Sequence, residues 1–235
     1  MQPHDFWQHL LPPDTHDPAG PFDAAYPATL ADGRQLLLPL RTVGDGTSAL
    51  ASLIINQASF DVVRSLTADL AERLAPFKPD VIAGLPTLGL SLAAPLAEAL
   101  GHSRYVPFGT SRKFWYDEEL SVPLSSVTTP DQQKNLFIDP RMLPLLEGKR
   151  VILVDDVISS GRSMLAGLEL LEKCGIQPVA IAAAMLQSDK SDDAFARHDP
   201  TLGSNVITAF NSPMLKRGED GRWHVPPLSN RASGY

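Results

Sequence analysis

A chain of 235 residues with 43% apolar and 20% charged positions is long enough for one substantial core and short for two. Its 20 basic and 27 acidic residues leave a formal charge of −7, which removes any chain-wide attraction to nucleic acid or anionic lipid, so an anionic ligand must be held locally. The single cysteine, Cys174, excludes an internal disulfide and a Cys-rich zinc cluster; with no basic-then-apolar leader and no bilayer-length apolar run, a soluble cytoplasmic protein that binds neither nucleic acid nor membrane is expected.

Residues 1–27 are crowded with Pro, His and Asp (PPDTHDPAGPFD), so a poorly ordered or draped lead is expected there. From Tyr26 to Arg41 two apolar runs flank Asp32-Gly33, a strong hairpin signal, and a small antiparallel piece outside the main core follows from it. Phe60, Val63, Leu66, Leu70 and Leu74 recur at helical spacing, and Pro76 and Pro79 stop that helix. Asp80–Ala83 then reads as a short strand, Gly84–Gly89 as a loop, and the next helix reaches Leu100 with Gly101 at its C-terminal turn; Tyr105–Phe108 begins another strand. The same unit recurs with the strand Arg150–Val154, the helix Ser163–Lys173 capped by Gly175, and the strand Val179–Met185.

Alternation of this kind predicts an α/β fold with a parallel sheet and helices on both faces, and such sheets bind ligands at the carboxyl ends of their strands, here Gly84–Gly89 and Asp155–Ser163. The stretch Gly109–Gly148 exceeds an ordinary connection, so it is functional or partly folded on its own, and Leu120–Val127 within it reads as a hairpin arm. The expected division is a lead over 1–27, a cap or hood segment over 28–57, a core over 58–200, and a C-terminal strand and tail over 201–235. The six histidines show no ligand spacing, Cys174 reads as a small packed residue, and Asp189–Asp193 as a solvated loop.

VILVDDVISSGRSM carries the chemistry. An apolar strand delivers Asp155 and Asp156, and Ser159, Ser160, Gly161, Arg162 and Ser163 open the following helix. Carboxylates repel phosphate, yet small residues at a helix start offer backbone N–H groups and the positive end of the helix dipole. A 5-phosphorylated ribose satisfies both, its diol donating to the acids and its phosphate lying in the small-residue cradle. Gly84–Gly89 lacks the Lys-Ser/Thr of a nucleotide-hydrolase loop and is not GxGxxG; Gly148-Lys149 precedes its strand; and a phosphoacceptor receiver domain carries its acidic pair on the first strand, which this chain does not.

The segment resembles the ribose-phosphate signature of type I phosphoribosyltransferases, and the likeness covers roughly residues 50–190. It implies a parallel-sheet, Rossmann-like core with a small N-terminal cap and a flexible loop or hairpin arm. By this resemblance Pro86, Thr87, Leu88 and Gly89 sit in the pyrophosphate loop, without the acid or arginine that many adenine enzymes carry there. Arg112 and Lys113 match a mobile loop that closes over the leaving group, with Phe114, Trp115 and Tyr116 as its cover. Leu53–Gln57 resembles the LNHQ-like stretch of xanthine enzymes and places Asn56 at the base, whereas Ser159-Ser160 and Gln187-Ser188 stand where those enzymes have an Asn and a Lys. The implied activity is transfer of the 5-phosphoribosyl group from phosphoribosyl diphosphate to a nucleobase, a purine, by a homodimer, with Asp155, Asp156, Arg112 and Lys113 as the catalytic set. Magnesium arrives with the diphosphate and ribose and not on protein ligands. An orotate-type transferase and a non-catalytic regulator that binds phosphoribosyl diphosphate or nucleotide are the alternatives.

Overall fold

A computed structural model describes residues 2–124 and 134–227. In chain order, a proline-rich lead precedes strands β1 (Ala25–Thr29), β2 (Gln35–Val43) and β3 (Ser48–Ala51), and a short 3-10 turn at Ile55–Gln57 leads to helix α1 (Phe60–Leu74). The parallel unit follows as β4 (Val81–Gly84), α2 (Leu90–Ala99) and β5 (Val106–Pro107). An arm of β6 (Ser121–Leu124) and β7 (Lys134–Phe137) precedes β8 (Val151–Ile158), α3 (Arg162–Lys173) and β9 (Ala180–Gln187). Helix α4 (Asp192–His198), β10 (Val206–Ser212), β11 (Met214–Arg217) and β12 (Trp223–His224) complete the chain.

The central sheet has the order β10-β9-β8-β4-β5, all parallel. Alternate strand residues serve its two faces. Ile82, Ile152, Val154, Ala180 and Ala182 pack with α1 and α2, and Val81, Ala83, Val151, Leu153 and Ile181 pack with α3 and the arm. The helices approach closely because glycines admit them: a Cβ on Gly84 would lie 2.7 Å from Ala93 Cβ, and one on Gly167 would lie 2.8 Å from Leu153. The second sheet, ordered β1-β2-β3-β11-β12, is an antiparallel hood drawn from both ends of the chain. Its first hairpin turns at Asp32-Gly33, with Gly33 at φ 84, as the sequence indicates.

Three readings of the sequence change. The lead is not a poorly ordered tail in the described residues: Trp7 is buried, Leu11 exchanges both backbone hydrogen bonds with Gln35, and Phe22 does so with Trp223. Its prolines exclude helix, but extended backbone still pairs with sheet edges whose residues lie far away in sequence. Phe60, counted on the apolar face of α1, is 81% exposed; it stands roughly 120° around the helix axis from Leu66 at 3.6 residues per turn, and Val62 takes the buried stripe instead. Asp189–Asp193 is not simply a solvated loop, since α4 begins in it and Ser191 is fully buried. The central sheet gains its outermost strand, β10, from beyond residue 200. The arm between Gly109 and Gly148 is partly folded on its own, with β6 against β7; residues 125–127 of the expected hairpin lie outside the described residues. Among the described residues no helix is long and apolar enough to cross a membrane.

Candidate active site

Strand β8 runs four residues beyond Val154, because Asp155 and Val157 pair with Ala183 and Met185 of β9. The acids therefore stand inside the ladder and not after it. Asp155 is buried, and its carboxylate accepts the Asp156 backbone N–H at 2.9 Å. Burial, and then the charge of Asp156, hold the Asp155 carboxyl well above the usual carboxylate range; burial raises Asp156 as well. A ligand that brings hydroxyl donors or positive charge lowers the cost of ionising this pair.

Two loops close on these acids. After β8, the residues Ser159, Ser160, Gly161, Arg162 and Ser163 line a recess of about 80 Å³ together with Asp155 and Val157. Gly161 is left-handed, at φ 76, and precedes the first residue of α3 with no side-chain cap, so the opening N–H groups of that helix face the recess side without a protein cap among the described residues. A Cβ on Gly161 would meet the Phe195 ring at 2.8 Å and Ser191 Cβ at 3.2 Å, which makes α4 the back wall of this loop. From the neighbouring strand, Leu85 N–H bonds to the Val154 carbonyl at 2.9 Å and the Pro86–Thr87 peptide is cis. The same loop lays Gly89 on the acids, since a Cβ there would fall 2.7 Å from Asp155 Oδ1 and 2.9 Å from Asp155 Cα. Thr87 is exposed at the tip, Pro86 and Leu88 are half-buried, and Gly89 opens α2.

A family model described as phosphoribosyl transferase domain matches residues 50–213, which takes in both loops, the acid pair and all five strands of the central sheet. The chain belongs to this family. It is 29% identical over 123 residues to an adenine phosphoribosyltransferase of Rhodospirillum centenum, covering 49% of this chain and 64% of the relative. A xanthine phosphoribosyltransferase of Chloroflexus aurantiacus is 28% identical over 144 residues, covering 60% of this chain and 64% of the relative. Matches of similar strength carry the names orotate phosphoribosyltransferase and bifunctional protein PyrR. The chain thus spans slightly less than two thirds of the first two relatives. Among solved structures, the adenine phosphoribosyltransferase of Rhodothermus marinus aligns with a TM-score of 0.53 at 20% identity, over 74% of this chain and 94% of that one, a likeness of fold.

In this phosphoribosyl transferase domain the other expected residues take different positions. Arg112 and Lys113 leave the carboxyl end of β5, which lies beside β4, so they start from the edge of the sheet that holds the acids. Arg112 is ion-paired with Glu118 of its own loop, and Lys113 is exposed. The aromatic cover divides: Trp115 donates its indole N–H to Asp139 at 3.3 Å under the Arg141 guanidinium, Tyr116 packs on Phe137, and Phe114 is 97% exposed. The bidentate Arg141 holds the Asp139 carboxyl down at about 2.

Asn56 is exposed in the 3-10 turn, which lies against α2. Ile55, its neighbour in the turn, is turned into the core, because a 3-10 turn alternates its residues over too short a period to keep neighbours on one face. Gln187, at the end of β9, donates to the Ala51 carbonyl at 2.5 Å and fastens the hood to the sheet. Ala51 is thus tied to the end of β9, and the turn Ile55–Gln57 that follows lies against α2, the helix after β4. Ser191 and Phe195 behind the Ser159–Ser163 loop escaped the sequence reading, since a helix of seven residues is too short for a periodic signal.

Proposed function

We propose that the protein transfers the 5-phosphoribosyl group from phosphoribosyl diphosphate to a ring nitrogen of a nucleobase, a purine, with release of pyrophosphate. The observation that carries this reading is the acid pair of β8, Asp155 buried and Asp156 half-buried, flanked on one side by an uncapped helix start and on the other by the backbone of Gly89. A sugar diol suits the acids. A phosphate suits the residues Ser159–Ser163, with Arg162 adding charge, and a diphosphate suits the backbone and hydroxyl donors of Pro86–Gly89.

In the reaction the bond from C1 to the diphosphate oxygen breaks and its electron pair leaves with the diphosphate, while a base nitrogen forms the new bond to C1 and releases its proton to solvent. Positive charge grows on the ribose and negative charge on the leaving group, so positioning and fixed charges suffice for catalysis. Asp155 and Asp156 hold the diol and face the cationic sugar. Asn56 offers an amide to the base edge. Magnesium fits as a companion of the diphosphate, because two carboxylates whose ionisation is disfavoured by burial gain from a cation or its waters; when bound it would neutralise part of the leaving charge. Among the described residues no cluster of three or more His, Cys, Asp or Glu is placed to hold a metal. A cytoplasmic homodimer completes the proposal, and sedimentation tests the dimer.

Turnover of phosphoribosyl diphosphate against adenine, hypoxanthine, guanine, xanthine and orotate is the direct test. Orotate as the one acceptor would displace the purine reading, and donor binding without turnover of any base would favour the regulatory alternative. With magnesium, donor at 100 times its Kd should stabilise the protein by about 2.7 kcal/mol, raising Tm by about 5–10 °C for a domain of this size; an unmoved Tm would remove the donor site. Arg112→Ala and Lys113→Ala should each lower kcat by on the order of 10²-fold while donor Kd moves by no more than about threefold, if they meet charge that appears only as the diphosphate leaves. Equal losses in binding and rate would mark them as ground-state contacts.

A further inference from the structure

The lead does more than cover the hood. Trp7 is 4% exposed and sits in the cluster that contains Leu53, Ile55 and Leu66. Its indole N–H donates to the Ser52 carbonyl at 3.0 Å, and its own carbonyl accepts the Ser59 N–H at 3.0 Å. Gln8 Nε2 donates to the Gln57 carbonyl at 2.8 Å and to the Phe6 carbonyl at 2.9 Å. The bonds to Ser52, Gln57 and Ser59 bracket Asn56 on both sides, while Gln187 holds Ala51 just upstream. Trp7 also has φ 64, a left-handed conformation that a bulky side chain adopts at a cost and keeps only where its surroundings over-determine it.

A three-residue 3-10 turn has poor hydrogen-bond geometry and little rigidity of its own. Its place against α2 must therefore come from what it is tied to. We propose that Trp7 and Gln8 are positioning residues for the acceptor base: the lead is a strap that fixes the segment Ser52–Ser59, and through it Asn56, at the height above the ribose site where a base must lie. This rests on the transferase reading above. The strap touches neither donor nor base itself, so its loss acts on acceptor binding through the turn and leaves the phosphate loop, on the other side of β8, as it was.

The test is the full-length chain carrying Trp7→Phe together with Gln8→Ala, which keeps an aromatic ring in the core and removes the two side-chain donors. Acceptor KM should rise about tenfold, with kcat at saturating acceptor and donor Kd within about twofold of the parent, because the lost bonds bear on acceptor placement alone. Hydrogen exchange at the amides of residues 55–59 should quicken in the same variant. An unchanged acceptor KM or unchanged exchange overturns the strap. So does a parallel loss of donor affinity, acceptor affinity and Tm, which marks a general packing role. Parent turnover with an indifferent variant removes the strap alone, whereas a parent that turns over no base removes the transferase reading and the acceptor role with it.

Discussion

Replacing Asp155 and Asp156 by asparagine is expected to lower kcat/KM by on the order of 10²-fold or more, since in the proposed reaction both groups face charge that develops on the ribose. The single change Asp155→Asn should do something less intuitive and stabilise the ligand-free protein at neutral pH. The folded carboxyl is held above its ordinary value of 3.8 by burial and by Asp156. Below that ordinary value both folded and unfolded chains keep the proton, and the group exacts nothing. As pH rises through the window between the ordinary and the folded value, the unfolded chain releases its proton first, so stability is lost, and above the folded value the loss is complete. Asparagine keeps the oxygen that accepts the Asp156 N–H and has no proton to lose. At pH 7 the variant should melt higher than the parent, and the difference should vanish near pH 3.5. A variant that melts lower at pH 7, or a gap independent of pH, would contradict the origin assigned to the raised carboxyl. Gain of stability with loss of activity is the signature of a site whose acids are kept for a ligand and not for the fold.

What the sequence disclosed follows from how local each signal is. The segment from Val151 to Ser163 was readable because strand, acids and small-residue loop are consecutive, and because apolar runs that serve two faces have no other use. Its boundary was not: the apolar pattern stops at Val154, whereas the strand continues through both acids because Asp155 and Val157 pair with Ala183 and Met185, a partnership set some thirty residues away. The hood was half readable. Asp32-Gly33 announces the first hairpin, but β11 and β12 join the same sheet from the far end of the chain, and no local pattern links Met214 to Leu50. The lead misled for a physical reason, since proline density reports what backbone cannot form and is silent on which edge it will pair with. Trp7 was the available signal there, a large ring in a polar stretch that folding rarely leaves in water. The closeness of Gly89 to Asp155 was not legible, because residues 66 apart meet only when β4 lies beside β8.

That closeness makes Gly89→Ala the most damaging small substitution expected in this chain. Gly89 has φ −57 and ψ −27, which alanine adopts freely, so backbone freedom is not the reason for glycine here. Space is. The added methyl would lie 2.7 Å from the Leu85 carbonyl oxygen, 2.7 Å from Asp155 Oδ1 and 2.9 Å from Asp155 Cα. Two of these atoms are backbone of the central sheet and its loop, and the third belongs to the carboxylate proposed to hold the ribose, so any relief moves the backbone or that carboxylate. Either the loop Leu85–Gly89 lifts from β8 or the Asp155 carboxylate turns out of place, and a displacement of about 1 Å in reacting groups costs on the order of 10²-fold in rate. Overpacking of this kind also costs about 1–3 kcal/mol of stability, less than would unfold an ordinary domain. Gly203→Ala is the control, with nothing within 4 Å of the added Cβ, and should match the parent in both rate and Tm. If Gly89→Ala keeps the parent kcat/KM for the donor while Tm falls, the two loops do not form one site, and Asp155 would then have to act without the backbone of Gly89 beside it.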